Sequence, residues 1–152
     1  MSALETKILD HPFLKTMSPK NRGHLLQNAT EMEFHAGEIL FREGEPANRF
    51  FLIESGKVAL EKRATHNHKA PIEIIGEGDV LGWSWLFPPF SWHFQARALE
   101  ATHAIVLDGG HLLATGERNP EFGYELMKRI SQILIRRLEA RNKFENGREE
   151  NA

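Results

Sequence analysis

Residues 36–60 read AGEILFREGEPANRFFLIESGKVAL, and glycines divide this stretch into short runs of apolar residues. Short runs rich in aromatic and β-branched residues, bounded by turn residues, are typical of β-strands. The runs on either side of Ser55-Gly56 therefore predict two strands joined in a hairpin. We expect the chain to turn corners at four glycines, where a positive φ or a close backbone approach favours this residue: Gly37, Gly44, Gly56 and Gly78.

Strand patterns continue from residue 30 to residue 108, and helical patterns lie on both sides of them. Turn signals recur at intervals of roughly ten residues, which is typical of a sandwich or barrel. We predict a mainly β fold with flanking helices: a double-stranded β-helix, or jelly-roll-like β-roll, with N-terminal helices and a long C-terminal helix. The predicted parts are an N-terminal helical segment (1–29), the β-roll (30–108), a short and a long helix (109–145) and a disordered tail (146–152).

The helices have recognisable ends. Ser18 directly before Pro19 predicts a helix start, and the final long helix follows Pro120 without a breaker.

The final long helix carries two stripes of mainly apolar residues. One stripe would cover the β-roll. The second stripe needs another surface to pack on, and the same helix of a partner copy is the simplest such surface. The alternative is a single wide face packed entirely on its own domain. The first stripe contains Leu126, Ile130, Ile133 and Arg137, the second Met127, Leu134 and Leu138, and the six apolar residues form the predicted dimer helix.

Composition restricts the classes of protein to which the chain can belong. The chain has 152 residues, a formal net charge of −2 and a pI near 6.4, so it has no excess positive charge for nucleic acid. Cysteine is absent, which excludes disulfides and thiolate metal sites and is typical of a reducing compartment. A signal-peptide core and a membrane-length apolar stretch are also absent. We expect a cytoplasmic protein that binds neither nucleic acid nor membrane.

Four segments in the order and spacing found here resemble the cyclic nucleotide-binding domain family. They are AGEILFREGE (36–45), FFLIESGKVAL (50–60), GEGDVLG (76–82) and ARALEATHAIVLD (96–108). The family includes the sensor half of catabolite-activator/FNR-type bacterial regulators and the regulatory subunits of cyclic-AMP-dependent kinase. The resemblance covers roughly residues 10–139 and implies a regulatory sensor domain that is not an enzyme.

The same resemblance implies where a cyclic nucleotide would bind, and the required polar residues are missing there. Family members that bind the nucleotide have a short helix after the glycine that corresponds to Gly82. The backbone N–H groups of that helix face the phosphate. A glutamate directly after that glycine binds the ribose, and an arginine further along neutralises the phosphate. Trp83 stands at the glutamate position, and Trp92 or His93 at the arginine position. Loss of a buried charge partner costs about 2–5 kcal/mol, so we expect no tight binding of cyclic AMP or cyclic GMP in this manner.

Aromatic residues are concentrated in this region, since residues 78–102 contain all three tryptophans and three of the ten phenylalanines. In one interpretation the rings fill the pocket, and the domain is a ligand-free dimerisation or interaction module. In another, the pocket is remodelled for an apolar or aromatic small molecule, with a few polar anchors. A third keeps weak, atypical cyclic-nucleotide binding through backbone N–H groups. The candidate ligand-binding residues are Gly82, Trp83, Ser84, Trp85, Trp92 and His93.

Other chemistry has weaker support in the sequence. His66 and His68 have the spacing of a metal clip but no evident third ligand, so we interpret them as part of a solvated loop. We predict no metal, no cofactor and no catalytic residues. The arginines at 136 and 137 are interpreted as a solvated face. The chain ends soon after the long helix, so we expect no DNA-binding domain and an output through an unknown protein partner.

Overall fold

The structure, a computed structural model, describes residues 3–27, 29–62 and 72–150, with side chains up to residue 140. Within these ranges the chain forms eight strands and four α-helices, so the predicted mainly β fold with flanking helices is confirmed. The helices are α1 (Ala3–Asp10), α2 (Pro19–Leu26), α3 (Gly109–Arg118) and α4 (Pro120–Glu150). The strands are β1 (Thr30–Phe34), β2 (Ile39–Phe41), β3 (Arg49–Ser55), β4 (Lys57–Glu61), β5 (Glu73–Gly76), β6 (Val80–Leu81), β7 (Gln95–Ala98) and β8 (Thr102–Asp108).

The strands form two four-stranded antiparallel sheets, in the orders β1-β8-β3-β6 and β2-β7-β4-β5. One apolar core contains side chains from both sheets and from the helices. The middle of β3 is buried on both of its faces, because Phe50, Phe51, Leu52 and Ile53 are all inaccessible to solvent. Burial of both faces explains why this strand reads as a continuous apolar run rather than an alternating one.

The predicted hairpin at Ser55-Gly56 is wrong, although both strands exist. β3 belongs to the first sheet and β4 to the second, so the chain passes from one sheet to the other at Gly56. Gly56 has a φ of 99°, and a Cβ there would lie 2.4 Å from Oγ1 of Thr102. This corner therefore needs glycine for both conformation and space, and the turn separates the two strands instead of pairing them.

The predicted helix starts agree with the structure, whereas the predicted end of the last helix does not. The Ser18 side chain accepts a hydrogen bond from the N–H of Asn21 at 3.3 Å, and Pro19 is the first helical residue of α2. α4 extends to Glu150, beyond the predicted boundary at residue 145. Residues 151 and 152, and the His66–His68 pair, lie outside the described residues. Among those described, no helix is both long and apolar enough to cross a membrane.

The two stripes of α4 have different surroundings. Leu126, Ile130 and Ile133 are buried in the core of the chain's own domain, so these members of the predicted dimer helix face inward. Met127, Leu134 and Leu138 are 37%, 40% and 60% exposed. Tyr124 and Ile135 extend the same exposed side of the helix. The chain itself therefore covers only the first stripe.

Candidate functional site

A cavity of about 720 Å³ lies between the second sheet, the loop after β6 and the C-terminal half of α4. Its volume falls within the range of about 300–1,000 Å³ that is usual for small-molecule sites. The polar and charged residues at its wall include Ser84, His93, Glu43, Lys62 and Glu73. The apolar part of the wall is formed by Phe41, Leu60, Ile72, Leu81, Trp83, Phe87, Trp92, Phe94, Leu134 and Leu138.

Gly82 fixes the direction in which the loop leaves β6. Its φ is 90°, a left-handed conformation that side chains disfavour. A Cβ at this position would lie 2.9 Å from the carbonyl oxygen of Arg49 and 3.1 Å from the ring of Phe51. The backbone therefore passes closely over β3, and the residues that follow are directed toward the cavity wall.

Trp83 and Trp85 lie on different sides of the loop. Trp83 is half-buried and lines the cavity. Trp85 is buried in the core and does not line the cavity; its Nε1–H donates to the carbonyl of Gly82, and its ring meets Phe50 edge-on at 5.8 Å. Because Trp85 is buried, this predicted site residue has a packing role. The short helix after Gly82 is a single 3₁₀ turn at Ser84–Leu86.

The arginine position of the family contains neither arginine nor lysine under either alignment. Trp92 is buried and stacks on Phe41 with the ring centroids 3.9 Å apart and the planes inclined by 16°. His93 is exposed, and its Nδ1 lies 3.2 Å from Oγ of Ser84. Arg97 lies outside the cavity and forms an ion pair with Glu61.

The aromatic residues of the loop therefore have several roles rather than one. Trp85 and Trp92 are buried, Trp83 and Phe94 are partly buried, and Phe87 and Phe90 are exposed. The interpretation in which all six rings fill the pocket does not describe this arrangement, because a cavity remains beside them.

Arg137 is a cavity residue that the sequence analysis missed. Its Nε lies 3.3 Å from a Glu73 carboxylate oxygen and its Nη2 lies 3.2 Å from Asp79 Oδ1. It also donates to the carbonyl of Val80, and its guanidinium carbon lies 4.9 Å from the centroid of the Trp83 ring. The side chain is only 12% exposed, so assigning Arg137 to a solvated face was wrong. The signal that could have found it is its place four residues after Ile133, on the buried stripe.

The charges around the cavity are mixed. Glu43, Glu73, Lys62 and Arg137 line it, so the formal charges of these four side chains cancel. The guanidinium of Arg137 is shared between Glu73 and Asp79. The cavity therefore has no net positive charge that would attract a phosphate.

The chain thus combines a two-sheet roll, a cavity beside it and a helix against the cavity. The family model of the cyclic nucleotide-binding domain matches residues 31–119, which is more than half of the chain. The chain belongs to this family.

Two of the curated proteins to which this chain is similar are regulators. It is 28% identical over 126 residues to the CRP-like cAMP-activated global transcriptional regulator of Mycobacterium tuberculosis, a match that covers 83% of this chain and 54% of the relative. It is 31% identical over 78 residues to the cAMP-dependent protein kinase regulatory subunit of Neurospora crassa, covering 51% and 20% of the two chains. The chain thus spans about half the length of the first relative and less of the second.

Solved structures show the same fold. A cyclic nucleotide-binding protein of Geobacter metallireducens superposes with a TM-score of 0.79 at 22% identity, covering 91% of this chain and 99% of the other. The sensor domain of the transcriptional regulator DNR of Pseudomonas aeruginosa superposes with a TM-score of 0.70 at 19% identity, covering 90% and 91%. The resemblance inferred from the four sequence segments is confirmed.

Proposed function

We propose that this chain is a non-enzymatic sensor domain whose cavity binds an apolar or aromatic small molecule and does not hold a cyclic nucleotide in the family's usual way. The observation that carries this proposal is the state of Arg137, a cavity guanidinium already paired with Glu73 and Asp79 and resting on Trp83. We also propose that the domain passes its signal to a protein partner.

A cyclic phosphate would meet unfavourable electrostatics in this cavity. It would approach the carboxylates of Glu43 and Glu73 as well as Lys62 and Arg137. If Arg137 bound the phosphate, its ion pairs with Glu73 and Asp79 would break. The loss of these partners would make the binding free energy less favourable, because the carboxylates would be left without their cation. Stacking of a purine on Trp83 would return about 1–3 kcal/mol but would not neutralise the phosphate.

An apolar or aromatic ligand fits the wall better. Trp83, Phe87, Trp92 and Phe94 offer ring surfaces, and small-molecule sites are lined predominantly by apolar and aromatic side chains. The hydrogen-bonded pair of Ser84 and His93 stands at the wall as a polar anchor that would set the ligand's orientation.

Arg137, a residue of α4, connects this helix to the cavity wall. Leu134, Arg137 and Leu138 of this helix line the cavity, and Arg137 rests on the ring that a ligand would contact. A ligand that binds against Trp83 therefore changes the environment that holds α4 in place. We propose that the exposed stripe of α4 meets the same helix of a second copy, which makes the domain a homodimer.

The first experiment compares two kinds of ligand on the same protein. Cyclic AMP and cyclic GMP are titrated to millimolar concentration by calorimetry and by tryptophan fluorescence, and the neutral probe N-phenyl-1-naphthylamine is titrated by its own fluorescence. We expect saturable micromolar binding of the probe and no saturable binding of either nucleotide. Trp83→Ala should weaken probe binding, whereas Phe90→Ala, an exposed residue of the same loop outside the cavity wall, should not.

Each result separates the candidate functions. Saturable binding of a cyclic nucleotide at low micromolar concentration or tighter would overturn the proposal and support an atypical nucleotide sensor. A folded protein that binds neither nucleotide nor probe would favour the second candidate, a ligand-free interaction module. The exposed stripe of α4 is the observation that supports that second candidate.

A further inference from the structure

A second cluster of ionisable side chains lies on the first sheet, and none of its members lines the cavity. Glu31 lies on β1, Glu54 on β3 and His103 on β8. One ligand atom from each of these three residues can be chosen so that all three atoms lie within 4.8 Å of one another. A histidine nitrogen and two carboxylate oxygens are a donor set that zinc accepts.

The strand register brings these residues together. In the antiparallel pairing of β1 with β8, Glu33 lies opposite His103, and Glu31 follows two residues away on the same face. The pairing of β3 with β8 is irregular between Ile53 and Ser55, so Glu54 is the extra residue of a β-bulge beside His103. Bulges of this kind redirect a side chain, and here the bulge lies at the cluster.

The ring of His103 lies between two carboxylates at distances that are too long for hydrogen bonds. Its Nδ1 is 3.6 Å from Glu54 Oε2, and its Nε2 is 3.8 Å from Glu33 Oε1. Two ligands of one tetrahedral zinc ion, each bonded at about 2.1 Å, lie about 3.4 Å apart. The separation of Nδ1 from Glu54 is therefore close to that of two ligands with an ion between them. The side chains of His103 and Glu54 are also only 24% and 18% exposed.

The charges in the cluster favour a divalent cation. Glu31, Glu33 and Glu54 contribute three negative charges, and the Lys7 ammonium, 2.7 Å from Glu31 Oε1, contributes one positive charge. With His103 neutral, the formal net charge of the cluster is −2. A divalent ion would balance this charge, and it would compete with Lys7 for Glu31.

We propose that Glu31, Glu54 and His103 form a binding site for a divalent transition-metal ion, with Zn²⁺ as the best-suited ion. In this site His103 binds through Nδ1, the ring nitrogen that faces Glu54. Lys7 occupies the cation position when no metal is bound. The three ligands are far apart in sequence and come from three strands, so no local sequence pattern indicates this site.

The test is a calorimetric titration with ZnCl₂ of protein carrying His66→Ala and His68→Ala, which removes the other histidine pair with metal-clip spacing. We expect one equivalent to bind with micromolar or tighter affinity. His103→Ala should weaken binding by about tenfold or more, because it removes one of the three proposed ligands. Lys7→Met should strengthen binding severalfold, because it removes the competing ammonium. His35→Ala, at an exposed histidine outside the cluster, should leave the affinity unchanged.

A solvated surface of ion pairs without affinity for zinc would give a different result from a metal site in this titration. Glu54→Gln keeps the shape of the side chain, so it tests the site without relying on a cavity-forming substitution. Circular dichroism and thermal unfolding establish that each variant is folded. Absence of saturable zinc binding, or binding that His103→Ala and Glu54→Gln leave unchanged, would overturn the proposal. This site is independent of the cavity, so its failure would not affect the proposed function.

Discussion

At the scale of single residues, Arg137 joins the last long helix to the cavity through two ion pairs, a backbone hydrogen bond and a ring contact. Arg137→Gln should lower the free energy of unfolding by about 1–3 kcal/mol, because hydrogen bonds to charged groups are lost from a mostly buried position. Urea unfolding measures this difference. Arg136→Gln is the matched control, because Arg136 is the exposed neighbour and should change stability by less than about 0.5 kcal/mol. Equal losses in the two variants would contradict the role given to Arg137.

His11 gives the domain a stability that depends on pH. It is 4% exposed, its Nδ1 accepts from the N–H of Phe13 at 3.2 Å, and its Nε2–H donates to the carbonyl of Ile53 at 3.1 Å. Burial lowers the pKa of His11 below its ordinary value, so the folded state prefers the neutral ring. Stability from this residue is therefore complete above the unfolded-state pKa of about 6.5 and is lost as the pH falls below it.

The measurement is the free energy of unfolding in urea at a series of pH values from neutral to mildly acidic. The wild-type protein should lose more stability over this range than His11→Gln does, because glutamine does not titrate. His35→Gln serves as the control, since His35 is exposed and should retain the wild-type slope. An identical pH dependence in wild-type protein and His11→Gln would contradict the prediction.

Gly82 is the residue at which the loop depends most directly on the absence of a side chain. Gly82→Ala should destabilise the fold by about 1–3 kcal/mol, because φ is positive and the new Cβ would lie 2.9 Å from a backbone oxygen. Gly76→Ala is the control, since a Cβ there has no neighbour within 4 Å. Thermal unfolding of both variants tests the difference, and a Gly82→Ala variant as stable as Gly76→Ala would show that the loop relaxes freely.

At the scale of elements, α4 has an inner stripe that belongs to the domain core and an outer stripe that is exposed. Ile135 is 56% exposed on the outer side, and a glutamate there would place an unpaired charge in any helix–helix contact. Ile135→Glu should weaken the dimer by about tenfold or more in sedimentation equilibrium. Gln132→Glu should not, because Gln132 lines a groove with Phe13 and Thr16 of the chain's own domain. A wild-type protein that is monomeric at all tested concentrations would refute the dimer.

The elements could be predicted from local patterns, and the contacts between distant elements could not. Ser18-Pro19 and the corner glycines identify helix starts and turns because their chemistry is local. The partner of a strand is not local: the pattern around Gly56 is the same for a hairpin and for a change of sheet. The polar residues missing from the family's site were visible in sequence. The place of Arg137 on the inward stripe was visible too, but its contacts with Asp79 and Trp83 were not, because they exist only when α4 packs beside the loop.

At the scale of the whole molecule, the cavity and the outer surface of α4 share residues. Leu134 and Leu138 line the cavity and are also 40% and 60% exposed on the stripe proposed for the partner. A ligand in the cavity would pack against their inner sides and hold the helix in one position. Ordering of this surface before association lowers the cost of forming the dimer. Ligand binding and dimerisation should therefore be thermodynamically coupled.

The coupling can be measured with the same probe that tests the cavity. Saturating N-phenyl-1-naphthylamine should tighten the dimer by about fivefold or more. Because linkage is reciprocal and two probe molecules bind per dimer, each site of the dimer should bind the probe more tightly than the monomer does by the square root of that factor, about twofold. Sedimentation equilibrium with and without probe gives the first factor, and probe titrations at low and high protein concentration give the second. Arg137→Gln should reduce both factors together, since it loosens α4 from Trp83. A probe that saturates the cavity without changing the dimer dissociation constant would separate the two surfaces and leave α4 a purely structural element.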